Sequence, residues 1–242
     1  MSALRVFSLA SIPERYANLA HIIPVILAQA DVLHIHWVGY KTPVSNAWQD
    51  PKIIHHTWAK AGSQIRFQPY ALYSNAYFFS IDDDILYPPN YAETMIRFMQ
   101  ANNNQFVCCV HANNHRPFQT KDFYTQPRQV IHFTKALTKT RFAHIPGCGT
   151  ACLYTPNAKV NWTTFSNNNM SDVYMACLLA KQHIPVVAIA REANWLQSLN
   201  EFDTRIFGQN PHAEIDKQLH RYRYYFALHR YWFRWRYRIN NP

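Results

Sequence analysis

The sequence predicts a single-domain α/β fold with a mixed, mostly parallel sheet flanked by helices. Short apolar runs with strand periodicity alternate with amphipathic helical segments, a pattern typical of such sheets. A chain of 242 residues fits one domain. Hydrophobic residues make up 48% and aromatic residues 15% of the chain, which indicates a packed core and excludes a disordered chain.

Four predicted strands lie in the first third of the chain. The first covers residues 4–9, and Ser11 with Glu14 has the pattern of a capping box, with Pro13 pre-set for the first turn of the following helix. Apolar runs bounded by polar residues predict the other strands. These strands are expected at residues 32–38, 52–58 and 77–81.

The alternation continues through the rest of the chain. Asn90 and Glu93 form a second cap-like pair, which predicts a helix to about residue 100. The polar segment 115–145, with a strand-like piece at residues 130–134, is interpreted as an excursion on the substrate side. Strands are expected at residues 106–110, 151–154 and 185–190, and a helix at residues 172–181.

The acidic run Asp82, Asp83 and Asp84 follows a predicted strand directly. Three adjacent carboxylates repel one another, so they need solvent, a helix end or a cation. Oxygen ligands suit Mg²⁺ or Mn²⁺, and a nucleotide diphosphate can supply the remaining ligands. Asp82 and Asp84 would share one side if the strand geometry continued. A solvated turn is the alternative to this metal site.

The chain is basic, with a formal net charge of +10 and a pI near 9.4, which predicts an anionic partner. Residues 1–208 are interpreted as the main domain and residues 209–242 as a C-terminal basic aromatic helix. Arginines alternate with aromatic residues over 217–238, a composition suited to an anionic membrane surface. Packing against the domain or a dimer partner is the alternative. Nucleic acid is a less attractive partner because of the acidic run.

The five cysteines show no spacing typical of a secreted disulfide framework. No apolar run approaches the roughly 20 residues that cross a bilayer, and no leader precedes the first predicted strand. We therefore expect a cytoplasmic protein, peripheral at the inner membrane.

Residues 80–91 resemble the aspartate motif of bacterial capsule-polysaccharide glycosyltransferases, and most closely that of the heparosan-capsule α-N-acetylglucosaminyltransferases. The resemblance covers about residues 6–200, and its Pro-Pro-x-Tyr extension is more specific than a bare Asp-x-Asp pattern. It is carried by Ser11, Pro13, Arg15, residues 80–91, His111, residues 133–134, Arg141, Gly147, Gly149, Thr150, residues 172–173 and residues 191–196.

The resemblance implies a type A glycosyltransferase fold that uses a UDP-sugar, most plausibly UDP-N-acetylglucosamine, and Mn²⁺ or Mg²⁺. It implies Asp84 as the main metal ligand and Asp82 beside the ribose or the metal. Ser11 and Arg15 would lie near the uridine. The residues expected at the nucleotide sugar are Ser11, Arg15, Arg66, Asp82, Asp83, His111 and Arg191.

The resemblance further puts Asp172 beside the acceptor hydroxyl as the catalytic residue, with retention of donor configuration preferred. The expected acceptor-binding residues are Gly149, Thr150, Asn194 and Trp195. Structural alternatives remain open for Asp172 as a helix cap, for Gly149 and Thr150 in a plain tight turn, and for Trp195 in the core. Arg191 has a further alternative as the partner of Glu192 in an ion pair.

The expected reaction is transfer of the sugar to a capsule or lipopolysaccharide glycan, with polymer-assembly enzymes as partners. The sequence departs from the family at Tyr174, which replaces an arginine, at Ala193, which replaces a lysine, and around Arg66. Another nucleotide sugar is therefore an open alternative. A second alternative is a non-catalytic basic protein that binds an anionic polymer or nucleic acid.

Overall fold

The computed structural model describes residues 2–41, 48–114, 128–165, 170–199, 212–227 and 239. It confirms the predicted α/β class, with a large mixed sheet flanked by helices. Numbered along the chain, the strands are β1 (Leu4–Ser11), β2 (Val32–Val38), β3 (Ile53–Trp58), β4 (Ala76–Ile81), β5 (Ile85–Leu86), β6 (Val107–Cys109), β7 (Ala112–Asn114), β8 (Gln129–Ile131), β9 (Arg141–Ala143), β10 (Ile145–Pro146), β11 (Thr150–Tyr154), β12 (Val186–Ala188) and β13 (Gln197–Ser198).

The central sheet has eight strands in the order β3-β2-β1-β4-β11-β6-β12-β9. Strands β3, β2, β1 and β4 are mutually parallel, and β6 and β12 run the same way. Strand β11 is antiparallel to both of its neighbours, and the edge strand β9 is antiparallel to β12. The described residues add two small antiparallel sheets, β10-β7-β8 and β13-β5.

Four α-helices lie within the described residues, together with three 3-10 segments. The helices are α1 (Leu19–Leu27), α2 (Tyr91–Ala101), α3 (Ser171–Lys181) and α4 (His212–Arg221). The 3-10 segments are Pro13–Asn18, Ser63–Leu72 and Trp162–Thr164. These elements confirm the predicted strands from residue 4 to residue 81 and the predicted helices that follow residues 90 and 171, with ends shifted by a few residues.

Both faces of the sheet are buried, because side chains alternate between two hydrophobic clusters. In β1, Phe7 and Leu9 face the cluster that contains the apolar sides of α1 and α2. Val6 faces the opposite cluster, which contains α3, α4 and the segment Ser63–Leu72. Covering helices on both faces leave the strand ends as the places where polar side chains can gather.

Helix α4 packs against the domain through Ile215 and Leu219, and Phe226 beyond it is buried in the same cluster. For residues 215–227, this contact agrees with the alternative that the C-terminal helix packs against the domain. Residues 228–238 of the predicted membrane-binding stretch lie outside the described residues, as does the predicted domain boundary at residue 208. Within the described part of the chain, no helix has the length and apolarity to cross a membrane.

Two predicted capping patterns are wrong. Strand β1 continues through Ser11, which pairs with Trp37, so Ile12 precedes the helical segment and contributes no side-chain cap. Asn90 does precede α2, but its side-chain oxygen accepts a hydrogen bond from the Trp195 indole at 3.2 Å. Ser11 pairs within the sheet and the Asn90 side chain bonds to Trp195, so neither residue caps a helix.

The polar segment 115–145 is described only from residue 128 onwards, where β8, β9 and β10 form. Its strand-like piece at residues 130–134 is confirmed in part by β8. The sequence did not predict β9 or β10, which are three and two residues long. Such short strands depend on pairing with distant strands, so local periodicity cannot indicate them.

The paired strands β2 and β3 carry a histidine cluster of His34, His36 and His56. His34 Nδ1 and His56 Nε2 are 2.9 Å apart, and the His36 and His56 rings stack at 4.5 Å. Burial lowers the pKa of His34 to about 4 and that of His36 to about 2, so these rings are neutral. The cluster is completed by hydrogen bonds to Tyr73, Ser8 and Trp58.

Candidate active site at the carboxyl edge of the sheet

Most of the candidate residues lie at the edge where the parallel strands end. Leu9 of β1 pairs with Ile81 of β4, so Ser11 and Asp82 leave the sheet together. Because β11 runs the other way, it begins at this edge, with Thr150 opposite Ile81. Ligands of open α/β sheets bind beyond the carboxyl ends of the strands. The observed topology therefore brings the acidic run and residues 147–149, the glycine loop before β11, to the edge where ligands of such sheets bind.

The acidic run is a turn, because β4 ends at Ile81. Asp82 faces one arginine, whereas Asp83 and Asp84 face another. The premise that strand geometry continues through the aspartates is therefore wrong, and the alternation expected for Asp82 and Asp84 does not apply.

Arg66 forms a direct ion pair with Asp82 from the segment Ser63–Leu72. Its side chain is only 7% exposed and also donates to the carbonyl oxygens of Ser63 at 2.8 Å and Ile81 at 3.1 Å. Burial acts to lower the pKa of Arg66, but the groups around it, Asp82 foremost, together raise the pKa above its ordinary value. Arg66 is therefore a fixed positive charge that orients Asp82.

Arg15 bridges the other two aspartates. Its guanidinium lies 2.9 Å from Asp83 Oδ1 and 3.0 Å from Asp84 Oδ2. The Asp83 side chain is 5% exposed and also accepts from the Ile12 amide at 3.4 Å, while its carbonyl accepts from Asn18 at 2.9 Å. Burial raises the pKa of Asp83 despite Arg15. Asp83 thus ties the acidic turn to the end of β1.

Asp84 is more open than Asp83, with 28% of its side chain exposed. Burial and then the negative charge of Asp82 raise its pKa to about 6. A carboxylate whose charge is disfavoured in this way is stabilised in its ionised form by a nearby cation. Asp84 is accordingly the aspartate of the run whose surroundings most favour an added positive charge.

The glycine loop before β11 lies directly against the acidic turn. A Cβ atom on Gly149 would overlap the carboxylate of Asp82, so the close approach requires glycine. The Tyr87 hydroxyl joins the two segments, since it accepts from the Asp82 amide at 2.8 Å and donates to the Gly149 carbonyl at 2.5 Å. The Gly149 position therefore constrains the orientation of Asp82.

Asp172 lies in the first turn of α3, at the far side of the glycine loop. Its carboxylate accepts a hydrogen bond from the Cys148 amide at 2.8 Å, so the expected alternative of a helix cap is wrong. Burial raises the pKa of Asp172, and the Asp82 charge raises it further while Arg66 lowers it. Asp172 therefore belongs to the same electrostatic cluster as the acidic run.

Ser11 is fully buried at the end of β1. Its hydroxyl lies 3.1 Å from the Tyr40 hydroxyl, which donates to the Ile12 carbonyl at 2.9 Å. Burial raises the pKa of Tyr40 to about 12. Ser11 and Tyr40 form one polar wall beside Arg15 and Asp83, at the position where the uridine is expected.

Thr150 and His111 pack behind the glycine loop. The Thr150 hydroxyl accepts from the His111 amide at 2.8 Å and donates to the Gly147 carbonyl at 3.1 Å. Its hydrogen is thus used within the loop, which argues against the predicted bond to an acceptor sugar. Burial lowers the pKa of His111 to about 4, and its Nδ1 has no hydrogen-bond partner among the described residues.

The remaining candidates are tied to other parts of the molecule. Arg191 donates to the carbonyl oxygens of Ile189 at 2.9 Å and His132 at 2.8 Å, and it forms no ion pair with Glu192. Trp195 packs on the ring of Tyr91 at 5.7 Å. The Asn194 amide donates to the Thr134 carbonyl at 2.8 Å. These contacts do not join Asn194 or Trp195 to the acidic turn.

Four aspartates and two arginines form one group, the acid site, whose net charge suits a divalent cation. Asp82, Asp83, Asp84 and Asp172 carry four negative charges when ionised, and Arg15 with Arg66 carries two positive charges, so an excess of two remains. Within the described residues no three His, Cys, Asp or Glu side chains form a complete metal group. Mg²⁺ sites beside phosphates commonly use one or two carboxylates, and Asp82 and Asp84 are the partly exposed carboxylates of the run that could hold such an ion.

Sequence reasoning missed two residues that shape the site. Tyr87 links Asp82 to Gly149, and Cys148 holds Asp172 through its amide. Both stand inside patterns already identified, Tyr87 in the aspartate motif and Cys148 between the two glycines. The motif spacing was therefore a signal for these residues, although their contacts depend on the fold.

No protein-family model matches this chain, and no curated protein matches it. The capsule-glycosyltransferase resemblance therefore depends on the residues quoted above and stays a prediction.

Proposed function

We propose that the chain is a divalent-metal-dependent glycosyltransferase of the type A fold, which moves a sugar from a UDP-sugar to a glycan acceptor. The observation that carries the proposal is the grouping of Asp82, Asp84 and Asp172 with two arginines at the carboxyl edge of a mostly parallel sheet. N-acetylglucosamine is the proposed sugar, from the motif resemblance.

The charges of the site support nucleotide-diphosphate binding with a cation. When all four aspartates are ionised, the excess of two negative charges repels a diphosphate, and a divalent cation would bring the two together. When bound by Asp82 and Asp84, the cation would neutralise the charge that develops on the departing diphosphate. Arg66 and Gly149 hold the Asp82 carboxylate in one orientation, so the protein does not have to reorganise it during the reaction.

Different residues of the site would contact the nucleoside and the sugar of the donor. Tyr40, which pairs with the fully buried Ser11, and the half-buried Arg15 lie beside the acidic turn on the β1 side, where they suit a nucleoside. Asp172 lies on the opposite side of Asp82, beyond the glycine loop. The sugar between them would reach Asp172, which we propose as the group that accepts or positions the acceptor hydroxyl proton. Retention of configuration is proposed from the resemblance.

Further parts of the proposal rest on the resemblance alone. These are the capsule or lipopolysaccharide acceptor, the polymer-assembly partner enzymes, and a cytoplasmic location at the anionic inner membrane surface. His111 is proposed at the edge of the donor site, since its ring packs against Gly147 and its Nδ1 has no partner among the described residues. Arg191 contacts only backbone carbonyls among its described partners, so a phosphate contact has no geometric support.

Calorimetric titration with UDP and UDP-N-acetylglucosamine tests this function, first with Mn²⁺ and then with chelator. We expect binding with Mn²⁺ and at least about tenfold weaker binding with chelator or in Asp84→Asn, since the carboxylate that holds the metal is lost. Asp31→Asn is the matched control, because Asp31 also pairs with an arginine at 2.9 Å but lies before β2, at the other edge of the sheet.

Three results of that titration would contradict the proposal. One is the absence of UDP-sugar binding by the folded protein with metal present. Another is binding that chelator does not weaken. The third is equal loss in Asp84→Asn and Asp31→Asn, which would indicate a general effect of charge or stability.

A further inference from the structure

A cavity lies against the edge strand β9, on the opposite side of β11 from the acidic turn. Its volume is about 380 Å³, within the range of small-ligand pockets. In the sheet, β9 is separated from β4 by β11, β6 and β12. None of the residues that line this cavity belongs to the acid site. The cavity is therefore separate from the acid site.

The cavity has an apolar floor. Leu179 and Ala180 from the second half of α3 form one wall, and Ile184, Val186 and Phe226 complete it. Leu179 and Phe226 are almost fully buried in the surrounding core, so the floor is built by well-packed side chains. An aliphatic group placed here would be removed from water, which stabilises binding in proportion to the apolar surface buried.

The rim is basic. Lys139 and Arg141 both line the cavity, are exposed, and form no ion pair with a described acidic residue. The described lining contains no aspartate or glutamate. Two cations without a carboxylate beside an apolar floor complement a ligand with an anionic end and an apolar body.

We propose that this cavity binds a single-chain amphiphile with one anionic head group. The head would contact Lys139 and Arg141, and the aliphatic chain would lie on Leu179, Ile184 and Phe226. A free anion would leave the floor uncovered, and a neutral alkyl chain would leave the two cations without a partner. The proposal does not depend on the glycosyltransferase proposal, because the two sites share no residue.

Titration of the full chain with octanoate tests the proposal, with acetate as the head group alone and octanol as the chain alone. We expect octanoate to bind at least about tenfold more tightly than either, because only octanoate satisfies both the rim and the floor. Amide chemical shifts measured in the same titration should change at Lys139, Arg141 and Ala180.

Two variants separate the rim from the floor. Arg141→Gln, at an exposed position, should weaken octanoate binding about fivefold, the scale of one partly screened charge contact. Ala180→Leu fills the cavity and should remove binding even though the rim is intact. Lys60→Gln is the charge control, since Lys60 is exposed and follows β3, the edge strand farthest from β9 in the sheet.

Equal affinities for octanoate and octanol would overturn the role of the basic rim, and equal affinities for octanoate and acetate would overturn the role of the floor. Shifts confined to residues away from the cavity would overturn the location. No octanoate binding by the folded full chain would overturn the proposal as a whole.

Discussion

The acid site and the histidine cluster both place polar side chains on buried parts of the same sheet, but they differ in what remains unsatisfied. In the histidine cluster, each ring finds a protein partner and stays neutral. In the acid site, two arginines leave an excess of negative charge and a carboxylate with a pKa raised to about 6.

This difference separates a structural polar cluster from a site that needs a ligand. Buried polar groups that satisfy one another stabilise one conformation of the core, and nothing further is required. Buried charges that remain uncompensated are costly, so they persist where a bound partner compensates them. The predictions below ask whether the two regions respond to substitution and pH as this comparison requires.

The largest effect is expected from Asp172→Asn. We expect UDP release in the presence of acceptor to fall about 10²- to 10⁴-fold, because the amide cannot accept the hydroxyl proton. Binding of UDP with Mn²⁺ should stay within about twofold, since Asn keeps the oxygen that accepts from the Cys148 amide. Activity near that of the unmodified chain would remove Asp172 from the chemistry.

Gly149→Ala should weaken UDP binding in the presence of Mn²⁺ by about tenfold or more. The added Cβ would overlap the Asp82 carboxylate and displace it from Arg66. Gly39→Ala is a useful comparison, because a Cβ there meets no atom but strains a backbone with φ of 75°. Calorimetry and thermal unfolding should show that Gly149→Ala loses affinity, whereas Gly39→Ala mainly loses stability.

A pH effect is expected from the histidine cluster. The unfolded chain gains protons at histidine below about pH 6.5, whereas folded His34 stays neutral down to about pH 4. The contribution of neutral His34 to stability is therefore fully present above pH 6.5 and is lost as the pH falls toward 4, by roughly 2 kcal/mol at pH 5 and about 3 kcal/mol at pH 4.

Urea unfolding at pH 7.5 and pH 5 measures this effect. His34→Gln should be less stable at pH 7.5 but should depend less on pH than the unmodified chain. His21→Gln should keep the full pH dependence, because His21 is exposed on α1. A pH dependence unchanged in His34→Gln would show that other groups bind the protons.

The smallest effect is expected from Arg221→Gln with Arg223→Gln, which lie outside both regions. If α4 meets an anionic membrane, loss of the two charges should weaken binding to phosphatidylserine vesicles by roughly 1 kcal/mol per charge near the surface. UDP binding and unfolding should not change. Vesicle sedimentation at two salt concentrations measures this, and equal binding by both forms would contradict a role for this part of the helix.

Much of the fold could be predicted because its strands carry their own pattern. The apolar runs of β1, β2 and β4 are long and end at polar residues, so their positions follow from the sequence. Strands β5, β7, β9 and β10 have two or three residues each and exist only because a distant partner holds them. Ser11 shows the same limit, since pairing with Trp37 overrode its capping pattern.

The candidate site could be predicted as a set of residues better than as a set of contacts. The aspartates, Gly149 and Asp172 gather at one edge because parallel strands end there. The sequence could not show that Arg66 pairs with Asp82, because the two belong to different elements. It also could not show that the Thr150 hydroxyl is used inside its loop or that Trp195 packs on Tyr91.

The reversed strand β11 also determines when the site can form. Tyr87 and Gly149, whose hydrogen bond closes the acidic turn, are 62 residues apart in the chain. Closing so long a loop costs chain entropy before the contact can stabilise it, so this step is slow. The site is therefore complete only once the centre of the sheet has assembled. The proposed donor contacts both segments, so we expect it to bind only the folded state and to stabilise it against unfolding as donor concentration rises.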